Sequence, residues 1–289
     1  TTGESYDYDT YEDKLFRMDL TTQECTELDA LSDVQIPEGW EGNSYVQSMT
    51  AGPDDSVWIC RQVNTYRFNI PEGVDPEENQ YNYDYYENGE SKTTLIRINA
   101  AGEADAEIDL SAADSSNSSS DDSVVYVDTL YVDDKGYVYV GDWQEVSLWD
   151  KDGNFLTTLT LDGNAGQLMQ YSASQIGVTS YGEQRGLRLI DPVKKDWGET
   201  IKLPSFAYSI FPGDDVYDFF YEYNEKIYGY INETQTAEKV VDWMECDVDS
   251  RYMRSYSILP DGRVFAIIQD DSSEESNVQL VLMTRVDAA

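Results

Sequence analysis

Histidine is absent from all 289 residues. That removes the commonest general base and the commonest metal ligand together, so Ser-His-Asp triads, His-type zinc sites and His-based lyase chemistry are excluded. Cysteine is scarce. Cys25, Cys60 and Cys246 are odd in number, far apart and without CxxC spacing, so a disulfide framework is not indicated. Cys60 falls inside an apolar run, where a buried thiol acts as a small hydrophobe. No stretch of about 18 apolar residues occurs, so no segment reads as a membrane-spanning helix. No signal-peptide pattern heads the chain either, which implies that it starts after any such segment or never carried one. Basic residues are few, 19 against 57 acidic ones, for a formal net charge of −38. A field of that sign repels polyanions, making nucleic acid and anionic lipid poor partners. It fits a heavily solvated surface or, more sharply, a surface meant for cations or neutral polyols. With 57 carboxylates, pairs of acids arise by chance and carry no glycosidase signal.

Helical periodicity is hard to find, while 23 Tyr and many Val, Ile and Thr argue for strands. The clearest pattern is Asp133-Asp134-Lys135-Gly136-Tyr137-Val138-Tyr139-Val140, a polar turn followed by a β-branched and aromatic strand. Asp54-Asp55-Ser56-Val57-Trp58-Ile59-Cys60 and Pro260-Asp261-Gly262-Arg263-Val264-Phe265-Ala266-Ile267 repeat its shape. Asp134 and Asp261 stand about three periods of roughly 42 residues apart, the blade length of a β-propeller. A second repeated segment sets the phase. Leu15 to Asp19, Leu95 to Asn99, Val146 to Asp150 and Leu187 to Asp191 each read as a short strand closed by Asp or Asn. Those residues suit corners because their side chains bond their own backbone and tolerate left-handed geometry.

The expected fold is therefore all-β, a single β-propeller over residues 1–289 with six blades, or seven as the alternative. Strands are expected at 14–19 and 24–28 for a first unit lacking its opening strands. Further units span 46–110, 124–163, 170–203, 206–244 and 253–287. A truncated first unit and a short last one imply closure by strands from both termini, which removes an open sheet edge. Two segments break the rhythm. Residues 111–123 are Ser- and Asp-rich and read as a polar connector. Residues 65–92 form a Tyr-rich insertion, either a binding loop or a hairpin extension packed on its own blade. Within it, Tyr81, Tyr83 and Tyr85 would share one face of an extended strand, a stripe about 13 Å long at roughly 3.3 Å per residue. With Tyr86 they are the candidate binding residues. No catalytic or metal-binding residue is assigned and no cofactor is expected. The run Asp150-Lys151-Asp152-Gly153-Asn154 lacks the later bidentate Glu of a calcium loop, and ordinary turn chemistry accounts for it.

The segment from Tyr131 to Leu156 resembles an NHL-type propeller repeat, and Ala51 to Ile59 resembles repeats of bacterial sensor propellers. NHL-like lyases and lactonases place His or metal-binding acids around their channel, and this chain has no His to put there. In its acidic, Tyr-rich opening and its Leu282-Met283-Thr284-Arg285-Val286 ending, the chain is also similar to propeller regions preceding the transport-type domain of extracellular solute-binding lipoproteins of gut Firmicutes. That resemblance implies an exported, cell-surface-tethered protein with a downstream solute-binding domain or transporter, and a protein or carbohydrate partner. The function so implied is noncatalytic binding or scaffolding. The alternative is a polysaccharide lyase or glycosidase using Tyr and carboxylates in the channel.

Overall fold

A computed structural model describes residues 14–19, 22, 24–31, 34, 36–75, 82–113, 127–172, 175–181, 186–204, 207, 209–246, 253–259, 263–270 and 277–283. Among these the secondary structure is strand, apart from two short 3-10 turns at Tyr83–Tyr85 and Leu110–Ala112. The strands are β1 Leu15–Met18 and β2 Cys25–Leu28; β3 Glu41–Ala51, β4 Val57–Phe68, β5 Tyr86–Ile98 and β6 Ala104–Asp109; and β7 Thr129–Val132, β8 Val138–Asp142, β9 Glu145–Trp149 and β10 Phe155–Thr160. There follow β11 Ala165–Ser172, β12 Gln175–Ser180, β13 Gly186–Asp191 and β14 Asp196–Ile201; β15 Ile210–Pro212, β16 Phe219–Glu222, β17 Lys226–Ile231 and β18 Thr236–Asp242; and β19 Met253–Ile258, β20 Val264–Asp270 and β21 Asn277–Met283. The fold is all-β and of the propeller type, as the repeats imply.

Sequence-consecutive strands pair as meanders in four sheets of four strands and one of three, while β1 and β2 form a separate two-stranded ladder. Among the described residues the blades number five, which corrects the expected six or seven. The cause of the overcount is the β1–β2 hairpin. It carries the strand, Asp-turn, strand signature of half a blade, but among the described residues no further strand joins its sheet. Ring closure by strands from both ends is not part of the described pairing. Elsewhere the strands follow the expected units: the segment Leu187 to Asp191 lies within β13, and the units expected at 206–244 and 253–287 hold β15–β18 and β19–β21. The connector at 111–123 lies largely outside the described residues.

Tight turns make these meanders possible. Asp133 Oδ1 accepts backbone N–H bonds from Lys135 (3.0 Å) and Tyr137 (2.8 Å), and its Oδ2 accepts the Tyr139 hydroxyl. Asp150 Oδ1 takes the N–H groups of Asp152 and Asn154 in the same way. Asn99 does so for Ala101 and Glu103, and Asp214 for Val216 and Tyr217. Gly102, Gly136 and Gly153 occupy the left-handed position of the first three turns, with φ of +88°, +83° and +81°, where a side chain would be strained. The Asp150 oxygens are thus spent on the turn, and the Asn154 amide holds that carboxyl below the usual range.

Central strands are buried on both faces and outer strands are not. Every residue of β9 is buried, whereas β14 and β18 are mostly exposed. This explains why the inner strands read as continuous apolar runs instead of alternating ones. Contacts divide the chain into two compact units, Thr1–Asp142 with Val146–Thr158, and Trp143–Glu145 with Leu159–Ala289. The first unit has a core around Cys60, Leu95, Leu110, Val138, Val140 and Trp149 and a second cluster around Ile59, Ile96 and Ile98. The second unit buries both faces of β16. Phe219 and Tyr221 enter one cluster with Leu187, Leu189 and Ile210, while Phe220 enters another with Phe211, Trp243 and Val264.

Two outcomes follow from this packing. Cys60 is fully buried, and burial pushes its thiol up to about 12, while Cys25 and Cys246 are exposed. A thiol reagent applied to native protein should therefore titrate two groups, with the third reacting only after denaturation; three fast thiols would contradict the assigned core. Gly229 is the second case. A Cβ there would lie 2.4 Å from the Tyr217 ring, whereas at Gly198 it would meet Leu189 at an ordinary 3.4 Å. Gly229→Ala should destabilise by about 1–3 kcal/mol, seen as a lower thermal midpoint, with Gly198→Ala nearly neutral.

Candidate functional site

The Tyr-rich insertion is mostly strand. β3, β4 and β5 run beyond the blade as a three-stranded extension, with Asn64 opposite Ser91, Arg67 opposite Glu87 and Phe68 opposite Tyr86. Period two sorts its side chains onto two faces. On one, Tyr86 stacks on Tyr66 at 5.7 Å and meets Phe68 edge-on at 5.4 Å. On the other, Arg67 forms two hydrogen bonds to Glu87, at 2.8 and 2.9 Å, and lies 4.5 Å above the Trp40 ring. Gly89 leaves the space that ring occupies, since a Cβ there would come within 2.5 Å of it.

The extended strand expected through Tyr83 and Tyr85 is not the local structure there. Tyr83–Tyr85 is a 3-10 turn, and β5 begins only at Tyr86. The cause is local: the Asn82 side chain accepts the Asp84 N–H at 3.1 Å, and the Asn82 carbonyl accepts the Tyr85 N–H at 3.0 Å. Those bonds curl the chain and abolish two-residue alternation. Tyr85 is half-buried and Tyr86 is exposed. Tyr81 lies outside the described residues, as does the Tyr83 side chain.

A second Tyr-rich feature lies wholly within the second unit, between the sheet β11–β14 and the sheet β15–β18. It is a cleft of about 800 Å³ lined by Tyr171, Glu199, Thr200, Ile201, Lys202, Leu203, Pro204, Tyr221, Tyr230, Asn232, Gln235 and Ala237. Strand alternation supplies its aromatic wall. Phe219 pairs with Tyr230 and Tyr221 with Tyr228, so all four rings share one face. They lock together, Tyr230 stacked on Phe219 at 4.9 Å and Tyr221 on Tyr228 at 5.4 Å. The turn between β17 and β18 supplies the polar groups. Asp218 fixes its start by accepting the Asn232 N–H at 2.7 Å, and Gln235 ends it with a left-handed φ of 53°. The Asn232 amide then donates to the Tyr171 hydroxyl, joining this turn to β11.

Two of the three phenols lining the cleft, Tyr171 and Tyr221, are shifted toward the neutral form. Burial raises Tyr171, helped by the negative charges of Asp218 and Glu199, against the opposing bond from Asn232. Burial likewise raises Tyr221, with Tyr228 and Tyr230 adding to it. Neutral phenols donate and accept hydrogen bonds but are poor bases near pH 7. Glu199 is the one carboxylate among the described lining residues, whereas glycosidase chemistry uses a pair. Among the described residues no group of three or more metal-ligating side chains converges. The arrangement suits binding by ring faces and amides.

No family model matches this chain, and no curated protein matches it. Solved structures do. A structure of the mitotic checkpoint complex is 12% identical, with a TM-score of 0.44 over 94% of this chain and 81% of the other. A candidate gluconolactonase is 15% identical, with a TM-score of 0.40 over 79% and 68%. The extracellular domain of a hybrid two-component system from B. thetaiotaomicron is 14% identical, with a TM-score of 0.39 over 76% and 32%. Likeness at this level transfers neither activity nor ligand.

The sequence does not reveal the cleft because Tyr171 and Glu199 belong to one blade and Asn232 to another, far apart along the chain. Phe219, Tyr221, Tyr228 and Tyr230 do alternate at period two within the unit expected at 206–244, which is the available signal.

A pH dependence follows from the raised phenols, among which Tyr131 is pushed up to about 12, by burial first and then by Asp133 and Asp134. Folding disfavours their ionised form, so their contribution to stability is complete below about pH 10 and falls as pH rises past it. Thermal midpoints should fall above that pH, and Tyr171→Phe should remove one late-titrating group from the phenolate absorbance curve. Ordinary titration of every tyrosine near pH 10 would refute this.

Proposed function

We propose that this chain is a noncatalytic binding propeller, a single functional domain at the bacterial cell surface attached to a solute-uptake lipoprotein. Its ligand sits in the cleft of the second unit. The observation that carries the reading is the lining itself: locked tyrosine rings and side-chain amides beside a single carboxylate. Binding needs preorganised contact groups, and these are preorganised by stacking and by turn hydrogen bonds. The alternative of a lyase or glycosidase requires an ionisable tyrosine or a second carboxylate, and burial moves Tyr171 and Tyr221 away from that role.

Tyr85 and Tyr86, with Tyr81 and Tyr83, are retained as contact residues for the attached protein, a downstream solute-binding domain or transporter. Closure of the ring by strands from both ends, the NHL-like ancestry and the extracellular, tethered location belong to the same proposal. The formal charge of −38 supports it by disfavouring nucleic-acid and anionic-membrane partners.

Incubation with a panel of plant and microbial polysaccharides, followed by chromatography and ultraviolet detection of unsaturated ends, tests the noncatalytic assignment. The expected outcome is retardation of the protein by at least one polysaccharide in affinity gels, without new reducing or unsaturated ends. Catalytic release of products from any of them would reject it.

A further inference from the structure

The cleft carries more information than its existence, and we infer that its ligand is a neutral oligosaccharide. This rests on the reading of the cleft as the binding site. Tyr230 is half-buried and pinned against Phe219 at 4.9 Å, so its ring presents a fixed apolar plane. Such planes pack against the C–H face of a pyranose at little entropic cost, because the ring is already immobile. Beside it, one turn sets out two primary amides, Asn232 and Gln235, each offering donors and an acceptor. Vicinal hydroxyls are donors and acceptors in the same way. The Tyr171 hydroxyl accepts from Asn232 and, being held neutral, keeps its own proton to donate.

Charge decides between sugar classes. Glu199 and Lys202 bring one charge of each sign, so the lining offers no net counter-ion to an acidic or an amine ligand. Asp218, whose charge acts on Tyr171, already accepts the Asn232 N–H and adds negative potential against uronates and phosphates. The volume of about 800 Å³ falls high in the roughly 300–1,000 Å³ range of ligand clefts, roomier than one sugar ring needs.

Titration calorimetry tests this with neutral malto-, cello-, manno- and galacto-tetraose, and with tetragalacturonate and the chitosan tetramer as anionic and cationic counterparts. At least one neutral tetraose should bind, with tetragalacturonate and the chitosan tetramer at least about tenfold weaker. Tyr230→Ala and Gln235→Ala should each weaken that neutral ligand about tenfold or more, while Tyr230→Phe, which keeps the ring, stays close to the native affinity. Met49→Ala, at an exposed residue of β3 outside the cleft lining, should leave it unchanged, and thermal midpoints guard against loss of fold. Stronger binding of a charged tetramer, or no binding of any neutral one, overturns the sugar assignment. Neutral binding that neither Tyr230→Ala nor Gln235→Ala alters overturns the location. A peptide bound in the cleft and lost in both variants would overturn the ligand class while sparing the binding reading. Cleavage of a bound tetraose would overturn the noncatalytic reading alone.

Discussion

Side chains of Asp and Asn that accept backbone N–H bonds at strand-closing turns are what the rest of the structure depends on. Short antiparallel strands bury both faces only if each hairpin reverses within a few residues, leaving no loop to wedge blades apart. Asn99, Asp133, Asp150 and Asp214 achieve that by satisfying two backbone donors each. Without those bonds the N–H groups would be left to water and the reversal would lose its local preorganisation. The same device explains part of the acidic composition. Several carboxylates are turn components, and Asp133 also accepts a buried tyrosine hydroxyl.

Once the turns are fixed, the central strands have no solvent face. Packing then falls on large side chains, and β16 and β17 show how tyrosine meets the demand. One face of this pair holds Phe219, Tyr221, Tyr228 and Tyr230 in mutual stacks, while Gly229 on the other admits the Tyr217 ring. A tyrosine wall is apolar enough to pack a blade and polar-edged enough to face a cleft. Stability and recognition thus draw on the same rings, and the blade needs no separate loop to build a binding surface.

The extension formed by β3, β4 and β5 follows the other logic. Its rings pack on one another, and its Arg67–Glu87 pair, both partners about 40% exposed, bridges two of its strands. Exposed ion pairs contribute little, so the extension is held mainly by its ladder and its aromatic contacts. An element of this kind projects without disturbing the blade from which it grows.

By itself the sequence determined the strand periodicity, the turn positions, the all-β class and the burial of Cys60. Each of those depends on residues adjacent in the chain, where period-two alternation and Asx chemistry act directly. The number of blades was not legible, because the Leu15 to Leu28 hairpin has the local pattern of a blade without the partners of one. Nor was the fate of Tyr83 and Tyr85, where a single Asn82 side chain turned an expected strand into a 3-10 turn. The cleft is wholly a product of tertiary structure. Tyr171 and Asn232 are 61 residues apart and meet only when two sheets lie side by side. No local periodicity records which sheet faces will oppose, since that is decided by how buried faces pack, and the candidate site exists only after that choice is made.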